Sequence, residues 1–198
     1  MCIRDSNRYV YNINALNYTP TIPLKYLFDN GFYYLWSVRA NDTEQYGAFA
    51  AYRTINISAV IVASLPVSSV NFGNLGYLGF NDTTANNPFP FTIQNDGNAF
   101  VNITIAATSL WQSISNPNQY YKFKTRNSTE VPSFNFAKSI TGFSIMPLYN
   151  VSSNMSIVEL NWSDETDSAY TDIYVETPLD EEPGARNSTV YFTSYLAE

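Results

Sequence analysis

Hydrophobic and polar residues alternate in several short runs along the chain, and turn residues separate these runs. Alternation with a period of two is typical of a β-strand that has one face buried and one face in water. No segment keeps a helical period. The clearest run lies at residues 169–177, where Tyr170, Asp172, Tyr174 and Glu176 fall on one face and Thr171, Ile173 and Val175 on the other.

Seven such runs predict strands in the C-terminal two thirds of the chain, at residues 67–72, 89–94, 100–106, 119–124, 157–162, 169–177 and 188–194. The breaks between them include Asn116-Pro117-Asn118 and Glu182-Pro183-Gly184. The Asp96-Gly97 pair predicts a tight hairpin, because its turn needs residues that accept a positive φ. Seven strands at this spacing predict a complete immunoglobulin-like β-sandwich over residues 67–198.

Residues 7–58 carry a second strand pattern. After the turn residues Asp29-Asn30-Gly31, the side chains of Tyr34, Trp36, Val38 and Ala40 share one face. This Tyr-x-Trp-x-Val-x-Ala run resembles a core strand of fibronectin type III domains. The resemblance implies the C-terminal half of such a sandwich, with Tyr34 as its tyrosine-corner residue and Trp36 and Val38 in its core. A generic aromatic hairpin remains the alternative, and no ligand is carried over because the family's Arg-Gly-Asp motif is absent.

Two further segments complete the predicted organisation. Residues 59–66 are short and apolar and contain Leu65-Pro66, so we expect a stiff linker there. Residues 1–6 resemble the translation of a sequencing adapter, and we expect the chain to be a fragment. The run from Phe91 to Ile105 also resembles the Ig-like repeats of archaeal and bacterial cell-surface proteins, which implies tandem sandwiches, the first of them truncated.

Composition narrows the function classes. The chain has no histidine, and Cys2, its one cysteine, falls in the adapter-like segment. Ser-His-Asp triads and thiolate or imidazole metal sites therefore cannot be built. The net charge of −7 argues against binding to nucleic acid or to an anionic membrane surface. No apolar run approaches the ~20 residues of a membrane span. We expect a protein that is not an enzyme and needs no cofactor.

Ten Asn-x-Ser/Thr sequons are present, against about four expected by chance for this composition. The excess predicts an exported glycoprotein, although an Asn-rich polar surface could also generate such triplets by accident. The sequon asparagines are Asn17, Asn41, Asn56, Asn81, Asn102, Asn127, Asn150, Asn154, Asn161 and Asn187.

Aromatic residues make up 16% of the chain and offer two roles. Trp36 and Trp162 lie in alternating runs, so we expect them in cores. The aromatic residues predicted to be available for contacts with sugars or proteins are Trp111, Tyr120, Tyr121 and Tyr149.

Acidic residues cluster at Asp164, Glu165 and Asp167 and again at 180–182. Such loops could bind Ca²⁺ between modules, but neither has the spacing of an EF-hand, and solvated loops are the simpler interpretation. The sequence therefore predicts a structural or adhesive module of a cell-surface glycoprotein. Its partners would be other surface proteins, neighbouring copies or glycans. The alternative is a carbohydrate-binding accessory module of a larger extracellular enzyme.

Overall fold

The computed structural model describes residues 33–37, 39, 47–56 and 58–197. All regular secondary structure in these residues is β-strand. The described part of the chain accordingly contains no helix that is long and apolar enough to cross a membrane. The chain divides into two compact units, Met1–Ala59 and Val60–Glu198.

The first unit contains an antiparallel pair of strands, β1 (Tyr33–Trp36) and β2 (Arg53–Asn56). The backbone of Tyr34 lies opposite Ile55. The part of the aromatic run at Tyr33–Trp36 is therefore a strand, as its alternation predicts. The predicted roles of the Tyr34 and Trp36 side chains, and of Val38, lie outside what the structure describes, as does most of the predicted half sandwich.

The second unit is built from two antiparallel sheets. The larger contains β3 (Ala63–Val67), β4 (Phe80–Asp82), β5 (Phe91–Asn95), β7 (Tyr121–Asn127), β8 (Ser144–Ile145) and β10 (Ser168–Glu176). Its strand order is β3-β5-β10-β7-β8. One edge of β10 is shared, because β5 pairs with its first half and β4 with its last three residues.

The smaller sheet contains β6 (Val101–Ala107), β9 (Asn154–Leu160) and β11 (Val190–Leu196), in the order β11-β6-β9. Inward residues of both sheets form two adjoining apolar clusters, one around Phe123 and Ile105 and the other around Ile103 and Ile157. The Phe192 side chain of β11 packs against both clusters. Burial of these side chains between the sheets provides the main driving force for the fold.

Successive strands of this unit mostly lie in opposite sheets. The chain passes from β5 to β6, from β6 to β7, from β9 to β10 and from β10 to β11 by changing sheet each time. An immunoglobulin domain has the order ABED in one sheet and CFG in the other. The larger sheet runs β3-β5-β10-β7, which parallels ABED, but β9, between β7 and β10 in the chain, lies in the smaller sheet. The all-β architecture of two antiparallel sheets is thus confirmed, and the immunoglobulin-like fold stays a prediction.

The segment around Asp96-Gly97 is a crossover, and the predicted hairpin is wrong. The strands on either side of it, β5 and β6, belong to different sheets. The amides of Asp96 and Asn98 donate to the carbonyls of Val62 and Val60 at 2.9 and 3.1 Å. A Cβ at Gly97 would lie 2.2 Å from the Val60 carbonyl oxygen, so only glycine fits this close approach.

The residues predicted as a linker, 59–66, are largely part of the second unit, because β3 pairs with β5. The register of this pair shifts between Ser64 and Val67, around Pro66, which lacks an amide donor and is tolerated on the edge strand. The strand predicted at residues 67–72 is wrong, since only Val67 belongs to one. Two short strands, β4 and β8, were not predicted.

Candidate functional site

The outer face of the six-stranded sheet is the most distinctive surface in the described part of the chain. Along β7, Tyr121, Phe123 and Thr125 are buried, which turns Lys122, Lys124 and Arg126 outward. These three cations lie directly opposite Tyr174, Asp172 and Tyr170 of β10. The alternation predicted for residues 169–177 is therefore confirmed, and it determines which side chains lie on the outer face of the sheet.

Three aromatic rings form a row across the strands. Tyr174 of β10 stacks with Phe80 of β4 at a centroid distance of 6.1 Å, and it meets the ring of Phe143, just before β8, at 5.6 Å. Phe80 keeps 68% of its surface exposed. We call Phe80, Tyr174 and Phe143, together with Lys122 and Lys124, the aromatic–cation face.

The two lysines of this face lie over aromatic rings. The Lys122 ammonium is 5.1 Å from the Tyr174 centroid, and the Lys124 ammonium is 4.6 Å from that of Phe143. Attraction to the negative face of each ring holds the side chains along the sheet. The cations are thus kept close to exposed aromatic surface, where a ligand could contact both.

Arg126 has a different role from the two lysines. Its Nε donates to the fully buried Asp172 carboxylate at 2.8 Å, and its guanidinium also lies 4.6 Å from the Tyr170 ring centroid. The other Asp172 oxygen accepts from the Thr83 hydroxyl at 2.9 Å. Since Arg126 also donates to Asn86, it fastens the segment after β4 onto the sheet. Arg126 therefore positions this face, and its charge is already compensated.

Burial and two nearby carboxylates raise the pKa of the Tyr174 hydroxyl. Burial raises its pKa to about 12, and the hydrogen bond to Glu176 together with the charges of Glu176 and Asp82 acts in the same direction. The Tyr174 hydroxyl donates to Glu176 at 2.7 Å. The shift moves the pKa further from the physiological pH range, in which a tyrosine hydroxyl at its ordinary pKa is already uncharged.

The four aromatic residues that were predicted to be exposed differ in their burial. Trp111 and Tyr121 are 8% and 3% exposed and belong to the core, so their predicted exposure is wrong. Tyr120 is partly buried against the same cluster. Tyr121 is buried because it points inward from β7, and burial raises its pKa to about 12 despite its hydrogen bond to Ser188. Tyr149 is exposed, as predicted, and lies on the three-stranded sheet side.

Trp162 does not lie in the core, where it was predicted. Strand β9 ends at Leu160, and Trp162 follows it, half-buried and outside both apolar clusters. The core position expected for Trp162 is filled instead by Leu160, which is fully buried.

The sequon asparagines differ in exposure. Asn56, Asn150 and Asn187 are exposed, whereas Asn81, Asn102, Asn127, Asn154 and Asn161 are half-buried. The Asn161 amide already donates to the Thr166 hydroxyl at 2.7 Å. Asn17 and Asn41 lie outside the described residues. The three exposed asparagines are therefore the most accessible acceptors among those described.

The side chains of the first acidic cluster differ in exposure and in pKa. Asp164 and Glu165 are exposed, but Asp167 is buried. Burial and the charge of nearby Glu130 raise the Asp167 pKa to about 6. Glu130 itself accepts from the amides of Asp167 and Ser168 at 3.1 and 3.0 Å.

In the second acidic cluster, Glu181 holds two loops together. Burial opposes its ionisation, but hydrogen bonds from Ser113, Arg186 and the Gln112 amide lower its pKa to about 2. Among the described residues, no three Asp, Glu, His or Cys side chains are grouped so that they could hold a metal ion.

Sequence reasoning missed the aromatic–cation face, although part of its signal was present. The run Tyr121-Lys-Phe-Lys-Thr-Arg126 places a cation at every second position, which predicts a cationic strand face. Phe80 and Phe143 could not be assigned to that face, because they reach it from β4 and from beside β8, which are too short to predict.

No protein-family model, characterised protein or solved structure matches the chain.

Proposed function

We propose that the chain is a non-catalytic adhesive module of an exported glycoprotein and that it holds acidic polysaccharides on the aromatic–cation face. One observation carries the proposal. In a chain of net charge −7, two lysine ammonium groups lie over the rings of Tyr174, which is half-buried, and Phe143, which is exposed, on one outer sheet face. The chain as a whole repels anions, and Glu176 and Asp82 lie close to Tyr174, so the anionic group of the partner would be bound at the two ammonium groups themselves.

The chemistry of the face matches sugars that carry acid groups. The C–H face of a pyranose ring is apolar and packs against aromatic surface. Phe80, which is 68% exposed and has no cation described over its ring, offers such surface beside Tyr174 and Phe143. A uronate or sulfate group accepts charge-assisted hydrogen bonds from the ammonium groups of Lys122 and Lys124. The open surface of a sheet suits an extended chain better than a small ligand, which needs a concave pocket.

An adhesive module and an accessory module of an extracellular enzyme would use the same contact. The proposed extracellular location and the fibronectin type III resemblance of residues 7–58 rest on the sequence and remain predictions. Whether the chain is an adhesive module or an accessory module of an enzyme, the proposal requires that the aromatic–cation face, and no other surface, binds the polysaccharide.

Titration calorimetry with a polyuronate at low salt tests the proposal. We expect Lys122→Gln and Lys124→Gln each to weaken binding about three- to fivefold, or about 0.6–1 kcal/mol, as for exposed charge pairs. Added salt should weaken binding further because it screens these contacts. Lys138→Gln is the matched control, since it removes the same charge from a side chain that pairs with Glu159 of the three-stranded sheet.

Equal losses in Lys138→Gln and Lys122→Gln would contradict the proposal. So would equal affinity for a neutral glucan of the same length. Preference for a single-stranded oligonucleotide over the polyuronate would instead assign the face to nucleic acid, whose bases also stack on aromatic rings.

A further inference from the structure

A groove lies on the outer side of the three-stranded sheet, away from the aromatic–cation face. It has a volume of about 370 Å³ and is lined by Thr104 of β6, by Tyr191 and Thr193 of β11, and by the turn at residues 149–153. None of its lining side chains is charged. Such a surface offers hydroxyl and aromatic contacts and suits a neutral ligand.

Two tyrosines form the aromatic part of this groove. The rings of Tyr149 and Tyr191 stack with centroids 3.6 Å apart and planes inclined by 11°. Tyr149 keeps 38% of its surface exposed. The pair therefore presents a rigid aromatic surface to solvent, and each ring fixes the position of the other.

Asn150 lies on the turn that lines this groove. It adopts a φ of 64°, and the turn is closed by bonds from the amides of Val151 and Ser152 to the Leu148 carbonyl at 3.1 and 3.0 Å. Asparagine tolerates this left-handed conformation better than most residues. Asn150 is exposed and lines the groove, and within the described part of the chain no hydrogen bond is assigned to its side chain.

We propose that Asn150 carries an N-linked glycan whose first sugars occupy this groove against the Tyr149–Tyr191 pair. The triplet Asn150-Val151-Ser152 is a sequon. In the attachment step, Nδ2 of Asn150 bonds to C1 of the first sugar of a lipid diphosphate-linked oligosaccharide. The bond from C1 to the diphosphate oxygen breaks, its electron pair leaves with the diphosphate, and Nδ2 loses one proton to a base.

In this proposal the ligand that fills the groove is the chain's own glycan, which is attached to a residue of the groove. A neutral core sugar presents hydroxyl groups to Thr104, Thr193 and Ser153 and a C–H face to the tyrosine rings. The proposal depends on export of the chain but not on its binding of polysaccharides. Its failure and that of the proposed function are therefore distinguishable.

The test uses the full chain secreted from cells that attach N-linked glycans, with Asn187→Gln as the matched control. Asn187 is exposed in its own sequon and does not line the groove. Mass spectrometry should find glycan at Asn150. Ser152→Ala, which removes the sequon but keeps asparagine at the left-handed position, should lower Tm by about 2–4 °C, whereas Asn187→Gln should leave it unchanged. In a Tyr191→Ala background the loss from Ser152→Ala should disappear.

An endoglycosidase acting on the native protein should release the Asn150 glycan more slowly than the Asn187 glycan, because the first sugars are covered. An unoccupied Asn150 beside an occupied Asn187 would overturn the proposal. Equal Tm changes in the two variants, or a Ser152→Ala loss that persists with Tyr191→Ala, would also overturn it.

Discussion

The Asp167 carboxyl group is 3% exposed, and one of its oxygens has no hydrogen-bond partner among the described residues. Burial and the charge of Glu130 raise its pKa from 3.8 to about 6. The folded state therefore holds this proton more tightly than the unfolded chain does. The stabilisation is complete below about pH 3.8 and is lost as the pH rises through about 6.

Asp167→Asn should remove this pH dependence. The amide is neutral at every pH, so the variant should exceed the parent in unfolding free energy at pH 7.5, and the difference should shrink towards zero near pH 4. Urea denaturation at the two pH values measures it. An increase in unfolding free energy that is equal at both pH values would show that the Asp167 charge does not affect stability.

At the scale of the strands, β7 and β10 carry most of what positions the aromatic–cation face. Their register pairs Arg126 with Tyr170 and Lys122 with Tyr174. The buried Asp172 is held by Arg126 and Thr83, so the ion pair joins the two strands to the segment that follows β4.

Arg126→Met should lower the unfolding free energy by about 2–3 kcal/mol, because it leaves a buried carboxylate without its cation. Lys124→Met on the same strand should change it by less than about 0.5 kcal/mol, as is usual at the surface. Adding Asp172→Asn to Arg126→Met should recover part of the loss. Chemical denaturation measures all three, and equal effects of the Arg126 and Lys124 variants would contradict this role.

The strands with clean alternation were predicted to within a few residues, because burial of one face imposes a period of two. Residues 169–177 are the clearest case, since β10 covers 168–176. The pairing of strands could not be predicted in the same way. A local pattern does not tell which sheet a strand joins, and for that reason Asp96-Gly97 was interpreted as a hairpin. Tyr121 was misjudged because one residue of register separates the core from the surface.

At the scale of the whole molecule, the second unit begins earlier than its predicted boundary. The carbonyls of Val60 and Val62 bond to the crossover after β5, and β3 covers the outer edge of β5. The sequence between Ala59 and Pro66 therefore belongs to a folding unit, although its apolar and proline residues are also typical of a stiff linker.

A fragment of residues 60–198 should unfold in one cooperative transition. A fragment of residues 68–198 should lose about 2–4 kcal/mol through the missing backbone bonds. It should also self-associate, because β5 becomes an open edge. Calorimetry and light scattering distinguish the two fragments. Equal stability would show that β3 is dispensable.

The alternation of strands between the sheets has a consequence for synthesis on the ribosome. The β10 strand bridges β5 and β7, and the amide of Ile173 bonds to a hydroxyl 90 residues earlier. Until β10 emerges, the strands it will join have no common partner, and their apolar faces stay uncovered. Contacts this distant in sequence slow folding, so the nascent second unit should remain protease-sensitive until β10 has left the exit tunnel.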